Sequence, residues 1–407
     1  LNKKKIINDP VYGFISIPNE LIYDLISHPW FQRLRRIKQL GLTDYVYPGA
    51  LHTRFHHALG AMHLMKETLD NLREKNIEIS PAEYEATLIA ILLHDIGHSP
   101  YSHALEHVLI PEFTHERLSY LIINQLNLQF NGELNLAIEV FSGHYERKFL
   151  CQLVASQLDV DRLDYLNRDS FFTGVSEGKI GSERIIKLLN VYDDELVIEE
   201  KGIYSIENFL SSRRLMYWQV YLHKTTVAVE QMLRQIIKRA KEINSEEHKN
   251  VSPDLLLFLK TGTSIKEIEE NSQILAAFTN LDDYDILGAI KFWKSSNDYI
   301  LKKYCQMLID RKILNLKFFE EEINDSETES KNNKLLKNGM SIEHVKYFVF
   351  HGLKSNAAYI GGDQKINVLT KKGKVVDIAN ASDLPNIKAM RKIVTKYYLC
   401  WPKSLFL

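Results

Sequence analysis

The stretch Leu88-Ile-Ala-Ile-Leu-Leu-His-Asp-Ile-Gly-His98 decides how this chain is read. An almost wholly apolar run, Leu88 to Leu93, ends in two adjacent ionisable side chains, His94 and Asp95. Burying such groups unpaired would cost on the order of several kcal/mol, so they need a neutralising partner. A divalent cation is a natural one, because imidazole and carboxylate are ligand types shared by zinc, iron, manganese and nickel. An isolated His-Asp pair is more often a helix-end hydrogen-bond network. The weight of the argument therefore falls on the pair's surroundings.

Outward from this run the pattern is helical. Residues 1–17 carry a short β signal broken by Asp9-Pro10 and Gly13, which predicts a small hairpin. From Pro18 to about Leu189 helices are expected: one opening near Pro29 and closing at Gly41, one from Phe55 to Leu72, and one after Pro81 ending at Gly97. Residues 204–243 hold no Gly or Pro and read as one long helix or two nearly continuous ones. A polar break at 244–250 precedes shorter helices to about Phe319. Residues 320–337 are polar and charged and read as a loop or linker. Beyond them, 345–350, 366–369, 375–378 and 396–401 read as strands, with a turn at Lys372-Gly373. The expected fold is mainly α: a helical core over 18–243 behind an N-terminal β segment (1–17), a helical extension ending in a polar linker (244–337), and a small C-terminal α+β module (338–407).

Composition sets outer bounds. The 407 residues are 45% hydrophobic and 25% charged, ordinary for a globular chain with a large core. A formal net charge of −1 gives no basic footprint for nucleic acid. Three well-separated cysteines (Cys151, Cys305, Cys400) form neither a disulfide framework nor a paired-cysteine zinc site. No apolar run reaches the ~18 residues of a membrane-spanning helix. A cytoplasmic, membrane-free protein is expected.

Four motifs share one chemistry: His52-Thr-Arg-Phe-His-His-Ala-Leu-Gly60, Leu93-His-Asp-Ile-Gly-His-Ser-Pro-Tyr-Ser-His103, Phe113-Thr-His-Glu116, and Gln157-Leu-Asp-Val-Asp-Arg-Leu-Asp-Tyr-Leu-Asn-Arg-Asp169. In the fourth, Asp161, Tyr165 and Arg168/Asp169 recur at helical spacing and so share a face. That face suits a metal and a ligand carrying phosphate and hydroxyl groups. The competing view is a solvated face with an Asp164–Arg168 ion pair.

These motifs resemble the HD-domain phosphohydrolases, and most closely the deoxynucleoside triphosphate (dNTP) triphosphohydrolases, the animal SAM-and-HD-domain enzyme and its bacterial relatives. The matched strings are long: Phe31-Gln-Arg-Leu-Arg, Ile37-Lys-Gln-Leu-Gly41, His94-Asp-Ile-Gly-His-Ser-Pro-Tyr-Ser-His103 and Asp159-Val-Asp-Arg-Leu-Asp-Tyr165. No SAM domain is expected within these 407 residues. The resemblance implies a metal held by His57, His94, Asp95 and Asp161. Spacing alone leaves His56 and His57 open, and the family pattern Arg-Phe-x-His picks His57. The implied cofactor is one divalent transition metal (Fe, Mn, Zn or Ni), with Mg2+ on the substrate phosphates a further expectation. His103, held by Glu106 and His115, is implied in proton transfer or attack at the α-phosphate. The closest animal relatives have Asp where this chain has Glu106. His98 is implied as an α-phosphate contact, with metal ligation as its alternative. His107, His144 and His223 read as structural or surface groups.

The resemblance further implies Arg54, Arg162 and Arg213 as phosphate-gripping residues, Gln39, Tyr165 and Asp169 around the sugar and its 3′-hydroxyl, and Leu40 with Tyr221 crowding the 2′ position. The implied reaction converts a dNTP and water to deoxynucleoside and triphosphate. The rivals are an HD-domain nucleotidase or phosphodiesterase and a non-catalytic nucleotide sensor. Lys5, Asn8, Gln32 and Arg35 match positions of an activator-nucleotide site between subunits, where Ser27 replaces the acidic residue that reads guanine. A homo-oligomer, dimer or tetramer, is implied.

Overall fold

Ser80 and Pro81 start the helix that carries the His-Asp pair. The Ser80 side chain accepts a hydrogen bond from the Glu83 backbone N–H, and Glu83 accepts one from the Ser80 N–H. This reciprocal cap, with proline at the first helical position, satisfies donors that would otherwise be orphaned. The helix runs Pro81–Leu93, and Ala86 through Leu93 are all buried. The structure, a computed structural model, describes residues 5–111, 114–243, 245–248, 250–260, 264–356, 359, 365–384, 387, 390 and 392–403. Residues 1–4 of the expected hairpin segment, Phe113 of the third motif and Asn244 of the polar break lie outside them.

The helix was expected to end at Gly97; it ends at Leu93. Ser119, from the helix His115–Gln129, explains the early stop. Its hydroxyl donates to the His94 carbonyl at 2.7 Å and accepts from the Gly97 N–H at 2.9 Å, drawing the chain into a turn. A Cβ on Gly97 would overlap the Ser119 and His115 backbone, so that close crossing needs glycine.

Three helices converge below the pair: Arg54–Glu74, Pro81–Leu93 and Val160–Thr173. The third is capped by Asp159, which accepts from the Arg162 N–H at 2.8 Å, and closes at Gly174 in the left-handed region (φ 74°). The expected N-terminal hairpin is present, Ile6–Asp9 pairing antiparallel with Gly13–Ser16. The 204–243 segment is two helices, Ile203–Met216 and Lys224–Glu242, joined by a π-helical turn at Tyr217–Tyr221.

The second half departs from expectation in three places. The segment expected as a polar linker contains the helix Asp325–Lys337. Asp325 and Glu327 in its first turn and Lys334 and Lys337 in its last complement the helix dipole, and Leu335 anchors it. Polarity there marked a solvated helix, not a loop. The strand expected at 345–350 is mostly the helix Ile342–Phe348, and the strand begins only at Phe350. Short apolar runs carry no period that separates the two states. Finally, sheet pairing crosses the division expected at residue 338. Asn367–Leu369 lies parallel to Glu195–Glu199, and Val394–Trp401 is the central strand between Asn315–Phe319 and Phe350–Asn356. No helix among the described residues is long and apolar enough to cross a membrane.

Gly60 marks the tightest contact among the three helices, because a Cβ there would overlap Arg168 Nη2 and Asp164 Oδ1. In an open helix, Gly→Ala stabilises by about 1 kcal/mol. Here overpacking, at about 1–3 kcal/mol, outweighs that gain. Gly60→Ala is therefore expected to lower the urea unfolding midpoint, and an unchanged or raised midpoint would refute the close packing.

Candidate metal centre and phosphate-binding site

The ambiguity between His56 and His57 is resolved by backbone capping. His56 Nδ1 lies 3.2 Å from the Thr53 N–H and 3.0 Å from its hydroxyl, closing the N-terminus of the helix Arg54–Glu74. His57, one residue on, is fully buried and points between the three helices. Its Nε2 lies 3.3 Å from His94 Nε2, 3.0 Å from Asp161 Oδ1 and 3.5 Å from Asp95 Oδ2. His94 Nε2 is in turn 3.4 Å from Asp95 Oδ1 and 3.5 Å from Asp161 Oδ1.

These separations fit a metal. Ligand atoms about 2.1 Å from a common ion stand roughly 3.0–3.4 Å apart at octahedral or tetrahedral angles. The far nitrogens are fixed to match. His57 Nδ1 donates to Asp164 Oδ2 at 2.7 Å, and His94 Nδ1 donates to the Ile91 carbonyl at 2.6 Å. Both rings thus turn the Nε2 lone pair inward, the usual outer support of metal-binding histidines. The residues His57, His94, Asp95 and Asp161 are positioned to hold a divalent metal.

Electrostatics support the same arrangement. Burial opposes a charge on His57, but hydrogen bonds to Asp161 and Asp164 push its imidazole up to about 10. Burial likewise opposes ionisation of Asp95, yet Arg54, His94 and His98 hold its carboxyl well below the usual carboxylate range. Arg54 donates to Asp95 Oδ2 and, at 2.8 Å, to the Ser102 hydroxyl.

The other histidines gather beside this centre. His98 and His115 stack with ring centroids 3.9 Å apart, and His103 lies edge-on at 5.0 and 5.1 Å from them. Glu106 joins two of them, accepting from His103 Nδ1 at 2.8 Å and from His115 Nδ1 at 3.0 Å. Burial opposes its ionisation, but those two bonds hold its carboxyl below the ordinary range. The longer glutamate side chain therefore reaches both rings. His98 is buried and sits with this group. Its Nδ1 is 3.2 Å from Asp95 Oδ1, and its Nε2 is buried without a hydrogen-bond partner.

The expected substrate residues are each held by a neighbouring side chain or buried beside the core. Arg162 is held by Asp159 and Arg213 by Gln157 (3.2 Å), and the Nε of each guanidinium is buried and unpartnered. Asp169 accepts from the Tyr221 hydroxyl at 2.7 Å and pairs with His52 Nε2 at 2.7 Å, and Tyr165 lies 6.3 Å from the Tyr221 ring. The Gln39 amide oxygen is also buried and unpartnered, and its neighbour Leu40 packs half-buried against the core.

The expected shared face of the fourth motif divides in two. Asp161, Tyr165 and Asp169 face the site. Arg168 turns away, bonding Asp164 through Nε and Nη2 (3.0 Å each) and Asp9 through Nη1 (2.8 Å). The Asp164–Arg168 pair is real, but it is fully buried rather than solvated. Sequence reasoning missed His52, Asp164 and Asp9 as supports of the site. Their signal was weak, since only burial distinguishes them from surface polar residues. The expected activator residues lie near the hairpin: Lys5 sits over the Tyr23 ring, Asn8 is in the hairpin ladder, and Arg35 lies over Phe55 and bonds Gln32.

Two outcomes follow. Because hydrogen bonds to Asp161 and Asp164 favour the charged form of His57 in the ion-free site, metal binding is expected to release a proton, and apparent Mn2+ affinity is expected to rise with pH. Calorimetry in buffers of different ionisation enthalpy measures this, and zero proton release would contradict it. Asp164→Asn is expected to weaken Mn2+ binding about 10–100-fold in a chelator competition, the range for loss of an outer support.

Comparison with known proteins places these findings. The HD domain family matches residues 54–169, and the HD associated region matches 180–268. An uncharacterised Bacillus subtilis protein, YwfO, is 33% identical over 100% of this chain and 94% of its own length. The human deoxynucleoside triphosphate triphosphohydrolase SAMHD1 is 31% identical over 58% of this chain, and the match spans 44% of the human protein. Among solved structures, a phosphohydrolase from Bacteroides thetaiotaomicron superposes with a TM-score of 0.94 at 48% identity, covering 98% of this chain and 100% of that one. With the four ligand positions converging at the junction of the matched helices, the chain belongs to the HD-domain phosphohydrolase family, in the branch related to the SAMHD1 dNTP triphosphohydrolases.

Proposed function

We propose that this protein hydrolyses deoxynucleoside triphosphates to deoxynucleoside and triphosphate. The observation that carries the reading is a set of unmatched buried polar atoms on residues of the family motifs and the helix Ile203–Met216: His98 Nε2, Arg162 Nε and Arg213 Nε are buried with no partner. Buried polar groups are nearly always satisfied, so these point to a polar ligand. Two guanidiniums suit phosphate oxygens.

A divalent ion (Fe, Mn, Zn or Ni) at His57, His94, Asp95 and Asp161 supplies Lewis-acid polarisation of a phosphoryl oxygen and a more acidic bound water. Mg2+ on the outer phosphates is part of the proposal. Arg162 and Arg213 neutralise and orient the phosphate chain. Arg54 shares that task while holding Asp95. His98 faces the α-phosphate. His103, its Nδ1 proton committed to Glu106, offers Nε2 to move a proton at the departing 5′-oxygen, with His115 completing the support. Tyr165, Asp169 and Gln39 take the sugar and its 3′-hydroxyl, and Leu40 and Tyr221 disfavour a 2′-hydroxyl.

A homo-oligomer formed through the N-terminal hairpin is part of the proposal. Ile6 and Phe14 of that hairpin are 58% and 67% exposed, an apolar surface suited to a subunit contact.

Incubation of the metal-loaded protein with each dNTP and rNTP, with products resolved by ion-pair chromatography, tests this reading. Deoxynucleoside and intact triphosphate are expected, with dNTPs favoured over rNTPs and activity abolished in His94→Ala/Asp95→Ala. Arg213→Ala is expected to reduce kcat/KM about 10–100-fold, the worth of a charge-assisted bond. Orthophosphate as the product would transfer the chain to another HD-domain activity. Tight binding without turnover would make it a nucleotide sensor.

A further inference from the structure

One polar cleft has none of the candidate metal ligands among its lining residues. The helix Lys224–Glu242 and the edge strand Phe350–Asn356 enclose a cleft of about 370 Å³, within the size range of small-ligand pockets. Arg234 and Lys238 line it from the helix at i, i+4 spacing. Lys354 and His351 line it from the strand, and Gln235 and the Tyr398 hydroxyl add neutral donors. No carboxylate is among its lining residues.

This positive charge forms no direct ion pair. Among the described residues, none of Arg234, Lys238 and Lys354 has a carboxylate oxygen within 4.0 Å. Glu230, one turn before Arg234, acts on Arg234 and Lys354 electrostatically without forming an ion pair. The sheet register sharpens the problem. Lys354 stands directly opposite Lys396 in the antiparallel pair, where like charges are destabilising. Lys396 lies over the Trp218 ring at 4.4 Å. The clustering is local, because the whole chain carries a formal charge of only −1.

A concave, cation-rich cleft with no carboxylate in its walls is complementary to an anion. The Arg234 guanidinium presents a fork matched to phosphate oxygens, and the two lysines add mobile point charges. The volume suits a small molecule rather than a groove for a long strand. We infer that this cleft is a binding site for a small polyphosphate anion, free or carried on a nucleotide, gripped by Arg234, Lys238 and Lys354. The inference is independent of the activity proposed for the metal centre. The helix that forms the cleft also runs beside the loop carrying His103: Lys241 Nζ donates to the Leu109 carbonyl at 2.7 Å, and His103 acts electrostatically on Glu230. An anion bound here would therefore sit on the same helix that borders the catalytic histidine group.

Calorimetric titration of the full chain with sodium tripolyphosphate tests the site, using wild type, Arg213→Ala and Lys238→Gln/Lys354→Gln. Lys238 is exposed and Lys354 is half-buried opposite Lys396, so their replacement is expected not to lower the thermal midpoint. A binding event that persists in Arg213→Ala and weakens about tenfold or more in the lysine variant is expected. Its affinity should also fall with added salt. Repeating the titration with dATP separates the two sources: equal affinity identifies the phosphate chain alone, and tighter binding identifies a nucleotide. A tripolyphosphate isotherm unchanged in the lysine variant, or no event beyond the one lost in Arg213→Ala, would overturn the inference. So would binding of a single-stranded oligonucleotide, sensitive to the lysines, when neither small anion binds.

Discussion

The structure is organised around one buried charge, the Asp164 carboxylate. It and Arg168 are fully buried, and a charge in that position costs several kcal/mol or so unless it is paired and hydrogen-bonded. Here it is matched on every side. Arg168 donates two bonds to it and a third to Asp9, and His57 donates Nδ1–H to its other lone pairs. One network thereby joins the N-terminal hairpin, the helix Arg54–Glu74 and the helix Val160–Thr173. Gly60 is its geometric condition, since any larger residue would separate the helices by the width of a methyl group. The same bond that ties the helices together sets the tautomer of His57, so packing and ligand orientation are one constraint.

Around that anchor the ionisable side chains sort into two groups. His57, His94, Asp95 and Asp161 converge, and His57, His94 and Asp95 are fixed from behind by a carboxylate, a backbone carbonyl and an arginine respectively. His98, His103 and His115 form the second group, organised by Glu106. Asp95 links the groups, contacting His94, His98 and Arg54. The candidate metal site and the histidine group organised by Glu106 thus share one carboxylate. That division of labour suits phosphoryl chemistry, in which charge stabilisation and proton movement occur at neighbouring atoms.

The C-terminal strands do more than extend the chain. Two of them complete sheets begun near residues 195 and 315, which ties the end of the chain to the helices that frame the site. The helix Lys224–Glu242 is the common wall. It borders the loop with His103 on one side and the cationic cleft on the other. Its direction is set where the π-helical turn Tyr217–Tyr221 interrupts the helical path. That turn also delivers Tyr221 to Asp169, and such turns often mark functional positions.

The candidate metal-binding residues stood out in the sequence because they sit in long motif strings, and because His-Asp after an apolar run demands a partner wherever it is buried. The helical core and the N-terminal hairpin were legible through period, proline and turn residues, which act locally. Three things were not. The helix Asp325–Lys337 looks like a linker because its stabilising charges are also the composition of a solvated loop. The strand at Phe350 looks one turn too early because a short apolar run fits either period. Spacing alone could not separate His57 from His56, which the family pattern did, and the burial of Asp164 and Arg168 depends on which side chains meet across more than a hundred residues of chain. Residue type and spacing determined the chemistry this protein can hold. Only the tertiary structure decided which of those groups are buried together, because burial and pairing are properties of converging elements and not of any one segment.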